Sequence, residues 1–175
     1  GLSLVLGVAA TRDLPLRSAA VETPLEPIEA PRLDEDTLFL VSVLRAGEGL
    51  LEGLRHLVPR ARIGHVGLYR DHETLKPVHY YEHLPPDMGR GLVIVVDPML
   101  ATGSSAVAAV ERVKQHGALR VRLVSVIAAP EGIAAMRAAH PDVSIVTAAI
   151  DRGLDANGYI RPGLGDAGDR FFGTR

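Results

Sequence analysis

Cysteine and tryptophan are both missing from the 175 residues, and Phe and Tyr are scarce at three and four. Without cysteine there is no disulfide framework, no thiolate metal site and no cysteine nucleophile, an absence that suits a reducing cytoplasm. With so few aromatics the core has to be packed by Val, Leu, Ile and Ala. No charge of one sign dominates either: 19 Lys and Arg face 21 Asp and Glu, for a net charge of −2. The two signs are mixed along the chain, so no basic stripe is available to neutralise a nucleic-acid backbone. No apolar run approaches the roughly 20 residues of a membrane-spanning helix, so no membrane partner is expected. The opening GLSLVLGVAA is apolar and helix-like but lacks the cationic region of a signal peptide. The seven His show no spacing typical of metal ligands, so no protein-held metal is expected.

What is present, 47% hydrophobic and 23% charged residues, is the composition of a globular protein, and 175 residues suit one domain, 1–175. After a polar, Pro-rich passage around Pro24 to Pro31, apolar runs of strand length alternate with helical patterns. That alternation predicts βαβ units and an α/β fold with an open, mostly parallel sheet flanked by helices. Strands are expected at Thr37–Leu44, Arg62–Tyr69, Gly91–Val96, Val121–Ala129 and Val143–Ile150. A helix is expected to end near Val58, before Pro59. Another should begin at Ser104 or Ser105 acting as cap and stop at Gly117, and a third should run over Glu131–Ala139. Two segments fall outside the alternation. Arg70–Arg90 is polar and holds three Pro and three His, which suits a flexible lid or a two-stranded flap. The tail from Asp151 is Gly-rich, so its backbone is able to approach a ligand closely, like a hood.

VIVVDPMLATGSS, Val93 to Ser105, carries the chemistry. It reads as a buried strand, an acid at its carboxyl end, a loop of small residues and a helix start. In parallel sheets ligands bind beyond the carboxyl ends of the strands, and a helix amino terminus offers N–H groups and positive potential to an anion. The loop lacks the Lys and spacing of a Walker A motif and the G-x-G-x-x-G of a dinucleotide site. By itself the segment is equally an ordinary tight strand-to-helix turn.

The acid followed by an A-T-G loop resembles the phosphoribosyl pyrophosphate signature of type I phosphoribosyltransferases, and the form DPMLATG resembles the uracil phosphoribosyltransferase branch. Four further segments agree in order: LRAG at Leu44–Gly47, GLYRDHETLKPVHYY at Gly67–Tyr81, AAPEGI at Ala128–Ile133 and YIRPGLGDAGDRFFGT at Tyr159–Thr174. The resemblance implies transfer of a phosphoribosyl group from 5-phosphoribosyl 1-pyrophosphate to uracil in pyrimidine salvage. It implies that Asp97, Pro98, Met99, Leu100, Ala101, Thr102, Gly103, Ser104 and Ser105 hold the ribose and its 5′-phosphate, joined by Asp166. Arg45 and Arg70 would clamp the pyrophosphate and, with Asp97, carry catalysis. Ile160, Gly165, Asp166 and Ala167 would surround uracil. Mg²⁺ bound mainly through substrate, a possible GTP effector and a homodimer or higher homo-oligomer are likewise implied.

Three departures from the family pattern stand out. Ser104 occupies a loop position where the family has Gly, and Glu48 one where it has an apolar residue. The helical arm that precedes this region in the family is expected to be missing here. Two rival readings remain at this point: transfer to a purine base, and a regulator that binds phosphoribosyl pyrophosphate.

Overall fold

The computed structural model describes residues 1–70 and 77–174, the side chains of residues 70 and 77 excepted. Helix α1 (Leu2–Thr11) leads into a ribbon of β1 (Leu16–Glu22) and β2 (Pro27–Leu33), paired antiparallel. The passage expected only as polar and Pro-rich is therefore regular structure. Thr23 organises its turn, its Oγ1 accepting from the amides of Leu25 and Glu26 at 3.2 and 3.0 Å. Among the described residues β2 has no second neighbour, which is where Pro27 and Pro31 are tolerated without an N–H to give to a ladder.

The main sheet follows. It is built from β3 (Leu38–Leu44), β4 (Arg62–Arg70), β5 (Pro77–His83), β6 (Leu92–Val96), β7 (Met99–Leu100), β8 (Arg120–Ala128) and β9 (Ser144–Ile150). Among the described residues the order is β5-β4-β3-β6-β8, with β7 continuing the line of β6 beside β8 and β9 on the far side of β8. Every neighbouring pair is parallel except β4–β5. The protein is an α/β fold with an open, mostly parallel sheet flanked by helices. The expected strands match within a residue or two at their ends.

Side chains alternate across the sheet and so feed two cores. Leu38, Leu40, Ile94 and Val96 join Leu50, Leu51 and Leu54 of α2 (Glu48–Leu57) and Leu6 and Ala10 of α1. Phe39, Val41, Val93 and Val95 join Ala109, Val110 and Val113 of α3 (Ser104–Gln115) and Met136 of α4 (Pro130–Ala139). β3 and β6 are buried on both faces, which is why they read as unbroken apolar runs.

In the segment expected as a lid or flap, β5 returns antiparallel along β4, in keeping with a two-stranded arrangement. Residues 71–76 lie outside the described residues. The tail forms a small ribbon, β10 (Gly153–Leu154) with β11 (Ile160–Arg161), and ends in α5 (Ala167–Phe172). No helix among the described residues is long and apolar enough to cross a membrane.

Candidate active site

The site begins where the ladder between β6 and β8 breaks. Asp97 N–H donates to the Val124 carbonyl at 3.1 Å, and the Pro98 carbonyl then accepts from both Val126 and Ile127, at 3.0 and 3.1 Å. Pro98, with no N–H to offer, sits at this interruption, and the chain rejoins the sheet as β7. The extra length turns Asp97 out to the wall of a cavity at the carboxyl end of the sheet.

The chain next turns through Ala101 and Thr102 to Gly103, whose φ of +83° is a conformation reserved in practice for glycine. α3 starts at the following residue. Neither Ser104 nor Ser105 caps it, contrary to expectation: Gly103 is the cap residue, and both serines lie in the first helical turn. Ser104 is thus in ordinary helical conformation, and replacing the family's Gly by Ser costs no backbone strain. Its hydroxyl lies 2.9 Å from that of Thr102. The cap residue has no side chain, and only Thr102 Oγ1 accepts, at 3.4 Å, from the first amide, that of Ser104, so the positive end of α3 opens toward the cavity beside three hydroxyls.

Asp97 is half-buried, and its withdrawal from water pushes its carboxyl up to about 6; the Met99 N–H, at 3.4 Å, works weakly in the other direction. The cavity, of about 460 Å³, is lined on this side by Asp97, Met99, Ala101, Thr102, Ser104 and Ser105. The opposite wall is the tail. Ile160, Gly165, Asp166 and Ala167 face the loop, so the structure brings together the residues expected around ribose phosphate and those expected around uracil.

Other expected site residues sit elsewhere. Leu100 is buried in the core, its carbonyl bound by Ala129 N–H at 2.9 Å, and Pro98 faces a separate groove with Leu50 and Val126. Arg45 follows β3 across a cis Leu44–Arg45 peptide. Its exposed side chain rests on α5, with the guanidinium carbon 5.4 Å from the Phe172 ring centre and Nη2 3.9 Å from Asp169 Oδ1. Arg70 closes β4, and its side chain lies outside the described residues. Glu48, the other departure, is the first residue of α2, where the helix dipole favours an acid, and its Oε1 lies 3.4 Å from His65 Nε2.

Sequence reasoning missed Ala46, Asn157, Gly158, Tyr159 and Gly168, which also line the cavity. The Asn-Gly pair at 157–158 is a turn signal, but nothing in it points to a ligand. Among the described residues no three His, Asp or Glu side chains gather as a metal-binding group. The oxygen donors of Asp97, Asp166, Thr102 and the two serines nevertheless fit a hard ion such as Mg²⁺ that keeps its waters and is held mainly through a phosphorylated substrate.

Comparison with known proteins gives one answer. The sequence family described as "Uracil phosphoribosyltransferase" matches residues 1–174. Uracil phosphoribosyltransferases from Delftia acidovorans and Rhizobium rhizogenes are 57% and 56% identical over 174 residues, in each case 99% of this chain and 83% of the relative. Among solved structures, the AQ2163 protein from Aquifex aeolicus superposes with a TM-score of 0.93 at 38% identity, over 98% of this chain and 82% of that one.

Proposed function

The chain belongs to the uracil phosphoribosyltransferase family, and from that premise we propose how its own residues divide the reaction. It converts uracil and 5-phosphoribosyl 1-pyrophosphate to uridine monophosphate and pyrophosphate, a step of pyrimidine salvage. The observation that carries the assignment of residues is the two-walled cavity, with an anion-binding helix start on one side and a Gly-rich backbone on the other.

Ala101 to Ser105 hold the 5′-phosphate through amides and hydroxyls, supported by the start of α3, whose cap residue Gly103 carries no side chain. Asp97, ionised, accepts from the ribose hydroxyls. Uracil lies under the tail, between Ile160 and Gly165–Ala167, where main-chain groups match its two carbonyl acceptors and one N–H donor. Cytosine presents a different pattern and would leave buried groups unpaired, which costs more than a hydrogen bond returns. Arg45 leaves α5 to meet the pyrophosphate, a movement favoured by the weakness of an exposed ion pair at 3.9 Å. Arg70 joins it from the end of β4.

The step is a displacement: the bond from the anomeric carbon to pyrophosphate breaks, and a ring nitrogen of uracil, giving up its proton, bonds to that carbon. Alignment of the two reactants and fixed positive charge at the leaving group supply the catalysis. Mg²⁺, when bound, neutralises pyrophosphate charge. Family resemblance also supports activation by GTP, and the exposed Leu16, Val21, Leu25 and Ile28 of the β1–β2 ribbon support a homo-oligomer. We place the reaction in the cytoplasm, in keeping with the absence of cysteine.

The decisive experiment offers a panel of bases with 5-phosphoribosyl 1-pyrophosphate and Mg²⁺ and follows nucleotides by chromatography. Uridine monophosphate should be the main product. Reaction with hypoxanthine and none with uracil would overturn the assignment.

A further inference from the structure

Between the two strands of the tail ribbon the chain makes one loop, and Asp155 bonds the amides of Asn157, Gly158 and Tyr159 in it. Its Oδ1 accepts from the N–H groups of Asn157 and Tyr159, at 2.9 and 3.0 Å. Its Oδ2 takes the Arg161 guanidinium, Nε at 2.8 Å and Nη2 at 2.6 Å. Its backbone is committed to the same loop: Asp155 N–H donates to the Tyr159 carbonyl, and its own carbonyl accepts from Gly158 N–H, both at 2.9 Å. Tyr159 is thus held by Asp155 at both its N–H and its C=O.

This fixes the orientation of the next residue. In the antiparallel ribbon Leu154 stands opposite Ile160, and the bond from Asp155 N–H to Tyr159 C=O brackets that pair. A bracketed pair does not exchange hydrogen bonds, so the N–H and C=O of Ile160 point away from β10. Ile160 lines the cavity with its carbonyl packed against Gly163, where a β-carbon would have no room, and this edge is what a base would read. Two further carboxylates hold the ribbon from outside the loop: Glu131 accepts from Leu154 N–H at 3.1 Å and Asp151 from Gly163 N–H at 2.9 Å. Neither spans the segment from 155 to 161.

We propose that Asp155 is a positioning residue for uracil: its carboxylate closes the 155–161 loop and fixes the edge on which Ile160 presents its backbone to the base. This rests on the assignment of Ile160 and Gly165–Ala167 to uracil. A backbone reader has no side-chain rotamer to adjust, so its selectivity depends on the frame that holds it, and a displacement of about 1 Å costs up to a hundredfold in rate. The hydrogen-bond partners of Asp155 among the described residues all lie in the tail and none in the Asp97–Ser105 loop, so the effect should fall mainly on the base.

The test measures KM for uracil and for 5-phosphoribosyl 1-pyrophosphate separately in Asp155→Ala and Asp155→Asn, with Ala167→Leu as control and thermal melts throughout. Asp155→Ala should raise KM for uracil on the order of tenfold and leave that for the sugar substrate within about twofold. Asp155→Asn keeps an oxygen for Asn157 and Tyr159 but sets an amide against Arg161, so its effect should be intermediate. Equal rises in both KM values, or none, would overturn the proposal. If Asp155→Ala does not fold, Asp155→Asn decides on the same criterion. Ala167→Leu puts bulk into the cavity wall assigned to the base, so an unchanged uracil KM in that variant would instead overturn the assignment of the base site itself.

Discussion

The carbonyl oxygen of Ala101 lies 2.5 Å from the point at which a β-carbon on Gly132 would stand, and that of Leu100 lies 2.6 Å from it. The first turn of α4 is therefore pressed against the outer side of the phosphate loop. Those carbonyls face α4, and under the proposed assignment the loop is left to meet the phosphate with its amides and hydroxyls. Gly132 belongs to the AAPEGI segment, whose place in the family pattern carries no chemistry of its own. Here it has a mechanical reason.

Gly132→Ala should accordingly damage sugar-phosphate binding from outside the site. The new methyl has backbone on its far side and cannot be accommodated by a side-chain rotation. Overpacking of this kind costs about 1–3 kcal/mol of stability. A shifted loop should also raise KM for 5-phosphoribosyl 1-pyrophosphate about tenfold or more, with KM for uracil less affected. Steady-state kinetics at saturating co-substrate separates the two.

Ser104→Gly tests the departure in the loop from the other direction. If Ser104 were strained, restoring Gly would improve the enzyme. Because the positive φ falls on Gly103 and Ser104 is helical, the change should remove a hydroxyl and cost about 0.5–1 kcal/mol of helix stability. A lowered melting temperature and a KM for the sugar substrate that does not fall are expected.

The residues that announced themselves in sequence did so by local pattern. Val93 to Ser105 was legible because a doubly buried strand, an acid and a small-residue loop are contiguous. The β1–β2 ribbon was not, since most of its residues are exposed and Pro27 and Pro31 mask the strand pattern. Gly132 and Asp155 were illegible for a different reason. Gly132 acts on residues some thirty positions earlier through the packing of α4, and an Asp beside a bend reads as a turn former until its four partners are seen. The capping role given to Ser104 or Ser105 failed because glycine, which takes positive φ freely, makes the turn one residue earlier.

Glu82 predicts sensitivity to acid. Its carboxylate takes Arg112 Nε and Nη2 at 2.7 and 3.1 Å and faces His116 and His79 at 3.0 and 3.4 Å, joining β5 to α3. The hydrogen bond from Arg112 holds it below the usual carboxylate range. A depressed carboxylate contributes stability above its unfolded value and loses it as pH falls through the folded one. Glu82→Gln should cost about 1–3 kcal/mol in urea titrations at pH 7. The difference from wild type should shrink as pH falls through the lowered range of the folded carboxylate, where the native group also takes up its proton.

Asp97 predicts the opposite sign. Burial raises it to about 6, so in the folded protein without substrate its ionised form is disfavoured. Below about pH 4 folded and unfolded chains both carry the proton and the group is neutral in the balance. Between there and about pH 6 the unfolded chain ionises first, and the fold loses stability that it does not regain at higher pH. Asp97→Asn removes that loss, so at pH 8 the substrate-free variant should be more stable by on the order of 1–3 kcal/mol, with the gain vanishing near pH 4. Catalysis should move the other way. If, as proposed, the ionised carboxylate accepts from the ribose hydroxyls, kcat/KM for 5-phosphoribosyl 1-pyrophosphate should rise with pH through about 6 in the wild type. In Asp97→Asn it should be at least a hundredfold lower and should lack that limb. Melting curves and pH–rate profiles on the same two proteins check both halves. A variant that is less stable at pH 8, or that keeps the wild-type limb, would show that Asp97 is not a buried carboxylate held for its ionised form.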